Sequence, residues 1–351
     1  MKFVHETLPQ RVRFASGAAA EALAAEVAAQ DVRRLMVVAG TSERDLADRI
    51  TAGLPVVHRH HDVAMHVPLE LAQRARAAAA EWDADAVISV GGGSTTGLAK
   101  AIALTTGLPI IAVPTTYAGS EATPVWGLTE NAVKTTGTDP RVLPRAIVYD
   151  AELTLSLPVE LSVASGLNAL AHCVDSLWAP RADPLNQALA LEGARALRVG
   201  LPQVVAHPDA VEGREDALYG AYLSALSFAS AGSGLHHKIC HVLGGMFNLP
   251  HAQTHAVVLP HVLAFNAPGV PAAEQRLAEA LGSRTAVDGL AELRSQLKAP
   301  HSLRDLGMPS AGIEEAAAAV VSAAPAGNPR PVTLEAITEL VRNAWEGTDP
   351  R

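Results

Sequence analysis

Apolar positions in the first 150 residues come as short unbroken runs. RRLMVVAG (33–40), DAVISVGGG (85–93), LPIIAVPTT (108–116) and RAIVYD (145–150) are each bounded by Gly, Pro or charged residues. Continuous rather than alternating apolar runs predict strands buried on both faces. Between them lie AAAEALAAEVAAQ (18–30), LELAQRARAAAAEW (69–82) and TTGLAKAIALTTG (95–107), rich in alanine and spaced for helices. Strand–helix alternation of this kind predicts a mainly parallel sheet covered by helices.

The pattern changes after SLPVELSVASG (156–166). LNQALALEGARALRVG (185–200) and EDALYGAYLSALSFASAG (215–232) carry helical periodicity, and strand-like runs almost vanish. The expected organisation is an α/β, Rossmann-like domain over 1–155 followed by an all-helical domain over 156–351. The charged runs near 43–49 and 212–216 read as exposed helix faces, and 316–331 as a mobile connection.

Composition narrows the partners. Net charge is −9 and aromatics make up 4% of the chain, which disfavours nucleic acid and anionic membranes. No run of 18 apolar residues is present, and MKFVHETLPQ has no apolar core of a signal peptide. Two cysteines, Cys173 and Cys240, make no disulfide framework, so both are expected as reduced thiols in a cytoplasmic protein.

VISVGGGSTTGLAKAI places Gly91, Gly92 and Gly93 between a buried strand and a helix, followed by the hydroxyls of Ser94, Thr95 and Thr96. Glycine admits a phosphate close to the backbone, and the helix N-terminus supplies N–H donors. The loop is neither the dinucleotide fingerprint, which needs Gly where Thr96 stands, nor a Walker loop, whose lysine position holds Leu98. A second polar turn, VPTTYAGSEATPVW (113–126), follows the next strand. Two such turns on neighbouring parallel strands predict a phosphate or dinucleotide crevice.

Histidines supply the other chemistry. Six of 14 fall between 236 and 261. His237 and His241 share a helix face, as do Asn168 and His172, and with His251 they form a candidate constellation. Clustered titratable groups mark active sites more often than chance. His236 and His255 are weaker candidates, because sequence neighbours on a helix face different ways.

GGGS (91–94), PTT…GSEAT (114–123), VYDAELTLSLP (148–158), GLNALAH (166–172), GLHHKICHVLGG (234–245) and LPH (249–251) together resemble the iron-containing (group III) alcohol dehydrogenases over nearly the whole chain. The resemblance implies the dehydroquinate synthase-like fold, with a nucleotide-binding α/β half and a helical half. GGGSTTGLAKAIA, VPTTYAGSEATPVWGLTEN and KTTG (134–137) are similar to the family's maleylacetate reductase branch. That likeness implies reduction of the C=C bond of maleylacetate to 3-oxoadipate with NADH or NADPH, in the breakdown of aromatic compounds. The family's metal-dependent alcohol dehydrogenases are the alternative.

By family position the metal ligands fall on Asn168, His172, His237 and His251. The first is a carboxylate in metal-dependent members. An amide oxygen is a weak neutral ligand, so a metal-independent enzyme is expected. By the same likeness Gly40, Thr41, Ser94, Thr115, Thr116, Ser120, Thr123, Val125, Lys134 and Leu153 line the cofactor. His241 stands beside the nicotinamide, and Tyr117, Ala118, Lys238 and protonated histidines are candidates to hold the two substrate carboxylates. Family members often carry Asp where this chain has Gly97. Gly40, Thr41 and Ser42 occupy the place of an acidic residue that would reject a 2′-phosphate, so NADPH is expected to serve as well as NADH. A homodimer is expected, with KFVHETL (2–8) as a candidate pairing strand.

Overall fold

The structure is a computed structural model that describes residues 2–130 and 133–350, with backbone alone for Val133 and Lys134. The chain divides into two compact units, one over Leu8–Leu157 and the other over Pro158–Arg351 together with Met1–Thr7.

The first unit runs β1 (Arg11–Phe14), α1 (Ala19–Ala29), β2 (Leu35–Ala39), α2 (Arg44–Ile50), β3 (Val56–His60), α3 (Leu69–Glu81), β4 (Ala86–Gly91), α4 (Gly93–Thr106), β5 (Ile110–Pro114), β6 (Val125–Glu130), β7 (Val133–Thr138) and β8 (Ala146–Tyr149). Six strands form a parallel sheet in the order β1-β8-β5-β4-β2-β3. Both faces are covered, and β2 shows it: Leu35, Val37 and Ala39 pack with α1, while Met36 and Val38 pack with α3 and α4. The four predicted strands are the inner ones, β2, β4, β5 and β8. The edges, β1 and β3, escaped prediction because RVRF and VVHRH carry charge and imidazole where an edge meets water. β6 and β7 pair antiparallel apart from the main sheet, in a stretch read from sequence only as a turn and a motif.

The second unit is helical, as expected: α5 (Val159–Ser176), α6 (Pro184–Ala206), α7 (Glu212–Ala231), α8 (Leu235–Phe247), α9 (His251–Asn266), α10 (Pro271–Leu281), α11 (Ala286–Gln296), α12 (Ile313–Ala323) and α13 (Leu334–Glu346). Every residue of α5 from Ser162 to Ser176 is buried, so this helix is the unit's axis, packed by α6, α7 and α9. α6 and α7 approach through glycines. A Cβ on Gly200 would lie 2.7 Å from the Gly213 carbonyl, and one on Gly220 2.9 Å from that of Gly193.

Within the single chain residues 2–10 pair with no strand, and His5 Nδ1 sits 2.7 Å from Asp183 Oδ2, the carboxylate that also caps α6. Two expectations need correction. The run at 212–216 is not wholly exposed, since Arg214 is buried with Nε and Nη2 donating to the Pro208 carbonyl. Nor is 316–331 a connection throughout: α12 continues to Ala323 with Ala316, Ala317 and Val320 in the core, and Asn328 pairs reciprocally with Asn266.

Candidate active-site residues

In the sheet unit the two polar turns meet. β4 ends at Gly91, whose φ of 148° suits glycine, and its carbonyl accepts from Thr115 N at 3.2 Å. A Cβ on Gly92 would stand 3.0 Å from the Thr116 methyl, and one on Gly93 3.4 Å from Ala118. The N-cap of α4 is Gly92, which brings no side chain of its own to the first-turn N–H groups, the donors an anion would use. Ser94 and Thr116 are half-buried beside them. This cradle fits a dinucleotide diphosphate.

Lys100, which the sequence reading missed, builds the second turn. It is the only charged residue between Asp85 and Glu121, and it is fully buried in α4. Its Nζ donates to the carbonyls of Ser120 (2.6 Å), Thr123 (2.8 Å) and Val125 (2.8 Å), with Thr123 Oγ1 at 3.2 Å. Three candidate cofactor residues are thereby tied to one ammonium. Burial lowers Lys100 to about 7, opposed by the carboxylate of Glu121. Burial raises Glu121 itself, which accepts from Tyr149 Oη at 2.7 Å.

Other sequence candidates in this unit fare differently. Leu153 belongs to the sheet core with Leu23 and Val148. Tyr117 is buried, and Ala118 is half-buried against Gly93. The Lys134 side chain lies outside the described residues. At Gly97, a Cβ would meet Val67 Cγ2 at 2.9 Å. Val67 has the rare φ of 46° and is held by Thr129, whose N and Oγ1 donate to the carbonyls of Val67 and His66. Valine occupies the space an aspartate would need.

The end of β2 holds a side chain that residues 40–42 do not supply. Thr41 is exposed on a turn, but Glu43 folds back so that its Oε2 lies 2.7 Å from where a Gly40 Cβ would be. A carboxylate does stand at this strand end; it comes from three residues further along.

In the helical unit, α5 presents Asn168, His172 and Asp175 on one face by their i, i+4, i+7 spacing. α8 adds His236, His237, Cys240 and His241, and α9 adds His251 and His255. The His237 ring stacks on His172 (4.9 Å, 12°) and lies 4.3 Å from Phe228. His241 is 6.2 Å from His237 and 6.5 Å from His251, and His251 is 4.4 Å from His255. The predicted histidines are therefore gathered here in a chain of ring contacts from His172 through His237 and His241 to His251. His241 and His251 are exposed; Asn168, His172 and His237 are buried.

His236 and His255, rated weaker from sequence, belong to the same cluster: both are fully buried, with His236 Nε2 2.9 Å from His255 Nδ1. Burial pushes His172, His237 and His255 well below the usual imidazole range, and His236 to about 3, with neighbouring imidazoles lowering them further. These rings are neutral at pH 7. Of the histidines expected to hold substrate carboxylates as cations, the buried ones do not qualify. Lys238 is half-buried on α8.

Comparison with known proteins places the chain. Residues 9–151 match the family described as iron-containing alcohol dehydrogenase, and residues 162–345 match the Fe-containing alcohol dehydrogenase family, C-terminal. The chain belongs to the iron-containing alcohol dehydrogenase family. It is 47% identical to the maleylacetate reductase of Sphingobium indicum, over 100% of this chain and 99% of that protein. Among solved structures it is similar to an iron-containing alcohol dehydrogenase from Corynebacterium glutamicum (58% identity, TM-score 0.98, 100% of this chain and 98% of that one). It is also similar to the maleylacetate reductase from Agrobacterium tumefaciens (42%, 0.95, all of both chains).

Iron is the metal that the family's description names. The donors at the positions implied by resemblance do not fit a divalent ion. Asn168 offers a neutral amide oxygen, and Oδ2 of Asp175 is already bonded to His237. Among the described residues, the ligand atoms that gather within 4.8 Å of one another are those of His236, Cys240 and His255, not those of His172, His237 and His251. Cys240 is a free thiol that burial pushes well above its usual range, as is Cys173.

Proposed function

We propose that this protein reduces the C=C bond of maleylacetate, giving 3-oxoadipate at the expense of a reduced nicotinamide nucleotide. The observation that carries the reading is Asn168. In a chain 42–47% identical over at least 99% of its length to curated maleylacetate reductases, the family's anionic ligand position holds a buried amide whose Oδ1 has no hydrogen-bond partner among the described residues.

A bound reduced nicotinamide nucleotide would supply the hydride for the alkene carbon β to the ketone. Charge then builds on the ketone oxygen as an enolate, and a proton must reach the α-carbon. The glycine turn and the N-terminus of α4 hold the diphosphate. Lys100 pins the neighbouring turn at Thr123 and Val125. His241, exposed and one helical turn from His237, donates the proton. His172, His237 and His251 form its polar surroundings, and Lys238 attracts a carboxylate. Delocalised enolate charge suits imidazole and N–H donors in place of a cation. NADH and NADPH both enter this reading, with NADH favoured by Glu43. Cytoplasmic residence and a homodimer accompany it, supported respectively by two reduced thiols and by the sequence likeness.

Loss of NADH absorbance with maleylacetate, compared with a panel of simple aldehydes and repeated in chelator, tests the proposal. Turnover of maleylacetate unaffected by chelator is expected. Aldehyde turnover that exceeds it and disappears with chelator would instead favour a metal-dependent alcohol dehydrogenase.

A further inference from the structure

Asp175 is the only charged residue between Glu160 and Arg181, and it has no solvent exposure. Its Oδ2 accepts from Gly234 N at 2.9 Å and His237 N at 3.3 Å, and lies 2.7 Å from His237 Nδ1. Gly234 makes this approach possible, since a Cβ there would stand 2.3 Å from Asp175 Oδ1. The two backbone bonds amount to capping α8 from a neighbouring helix, and a purely structural role would end with them. The ring bond does not follow from capping.

It has a definite polarity. An oxygen that already accepts two N–H groups is an acceptor, so the proton of the third bond sits on Nδ1. Nε2 of His237 is then left with its lone pair, and among the described residues it has no hydrogen-bond partner. The His172 and Phe228 rings pack against the His237 ring, 4.9 and 4.3 Å away, and hinder a ring flip.

We propose that Asp175 is a positioning residue that locks His237 as the Nδ1–H tautomer and so presents Nε2 as a hydrogen-bond acceptor to the proton-transfer site around His241. The role rests on the maleylacetate-reducing function above. His237 Nε2 accepts the hydrogen bond that orients the proton donor, directly or through one water, and Asp175 keeps it from turning donor.

The natural protein labelled with ¹⁵N-histidine gives the first test. Long-range ¹H–¹⁵N spectra, with the His237 signals assigned by their loss in His237→Gln, should show a protonated Nδ1 and a bare Nε2. The Nε2–H tautomer would overturn the proposal, whatever the substrate proves to be. Two variants give the second test. In Asp175→Asn the backbone donors hold the amide oxygen where Oδ2 was, so the tautomer persists and kcat should stay within about threefold. Asp175→Ala removes the lock, and kcat should fall about 10- to 100-fold with the KM for NADH unchanged, the range for losing such an outer partner. Equal losses in both variants, or full kcat in a folded alanine variant, would overturn it. Should the alanine variant not fold, the tautomer and the asparagine variant decide. A natural protein inert toward maleylacetate would sink the function while leaving the tautomer measurement standing.

Discussion

Glu43 and Gly40 show how one side chain changes a specificity argument. By sequence the end of β2 lacks an acid, because residues 40–42 are Gly, Thr and Ser. The turn at Thr41–Glu43 bends Glu43 back over Gly40, where its carboxylate can bond a ribose 2′-OH and repel a 2′-phosphate. Glu43→Gln should narrow the ratio of kcat/KM for NADH over NADPH by about tenfold, near 1.4 kcal/mol. Steady-state kinetics with both nucleotides measure this, and an unchanged ratio would show that Glu43 does not face the ribose. Asp175 and Lys100 carry a related lesson. Each is a lone charge in a long apolar helical run, a signal visible in the sequence whose meaning depends on what the charge meets.

At the scale of elements, α4 and the 120–125 turn act as one piece through Lys100. Lys100→Met would take its ammonium from three carbonyl oxygens; that of Ser120 still accepts from Thr123 N, while those of Thr123 and Val125 lose this donor at a cost on the order of 1–3 kcal/mol each when buried. Thermal stability should drop by several degrees, and the KM for NADH should rise about tenfold as the turn loosens. Calorimetry and kinetics on the same preparation separate the two effects; a stability loss with KM intact would mean the turn does not touch the nucleotide. The inner strands and long helices were legible because their apolar runs record burial directly. β1, β3 and the β6–β7 hairpin were not, because edge and hairpin strands share their residues with solvent.

Across the whole molecule, the helical unit keeps neutral imidazoles in its interior. His172, His237 and His255 lie well below 6.5, with His261 at about 4 and His236 at about 3. In the unfolded chain each titrates near 6.5, so below that pH the unfolded state binds protons that the folded state refuses. Their stabilisation is complete above pH 6.5 and is lost as pH falls toward 3, each group with a slope approaching about 1.4 kcal/mol per pH unit. Tm should therefore fall steeply between pH 6.5 and 4, with hydrogen exchange accelerating first in α5, α8 and α9. A flat Tm over that range would mean the rings are already hydrated or charged. The sequence by itself determined the two-part architecture, the glycine cradle and the gathering of Asn168, His172, His237, His241 and His251, because helical spacing and apolar runs are local properties. Only the tertiary structure decided that His237 takes its proton partner from Asp175, that Lys100 holds three carbonyls and that Glu43 covers Gly40. Those contacts join side chains to groups whose positions are set by packing, and packing is decided by the folded chain as a whole.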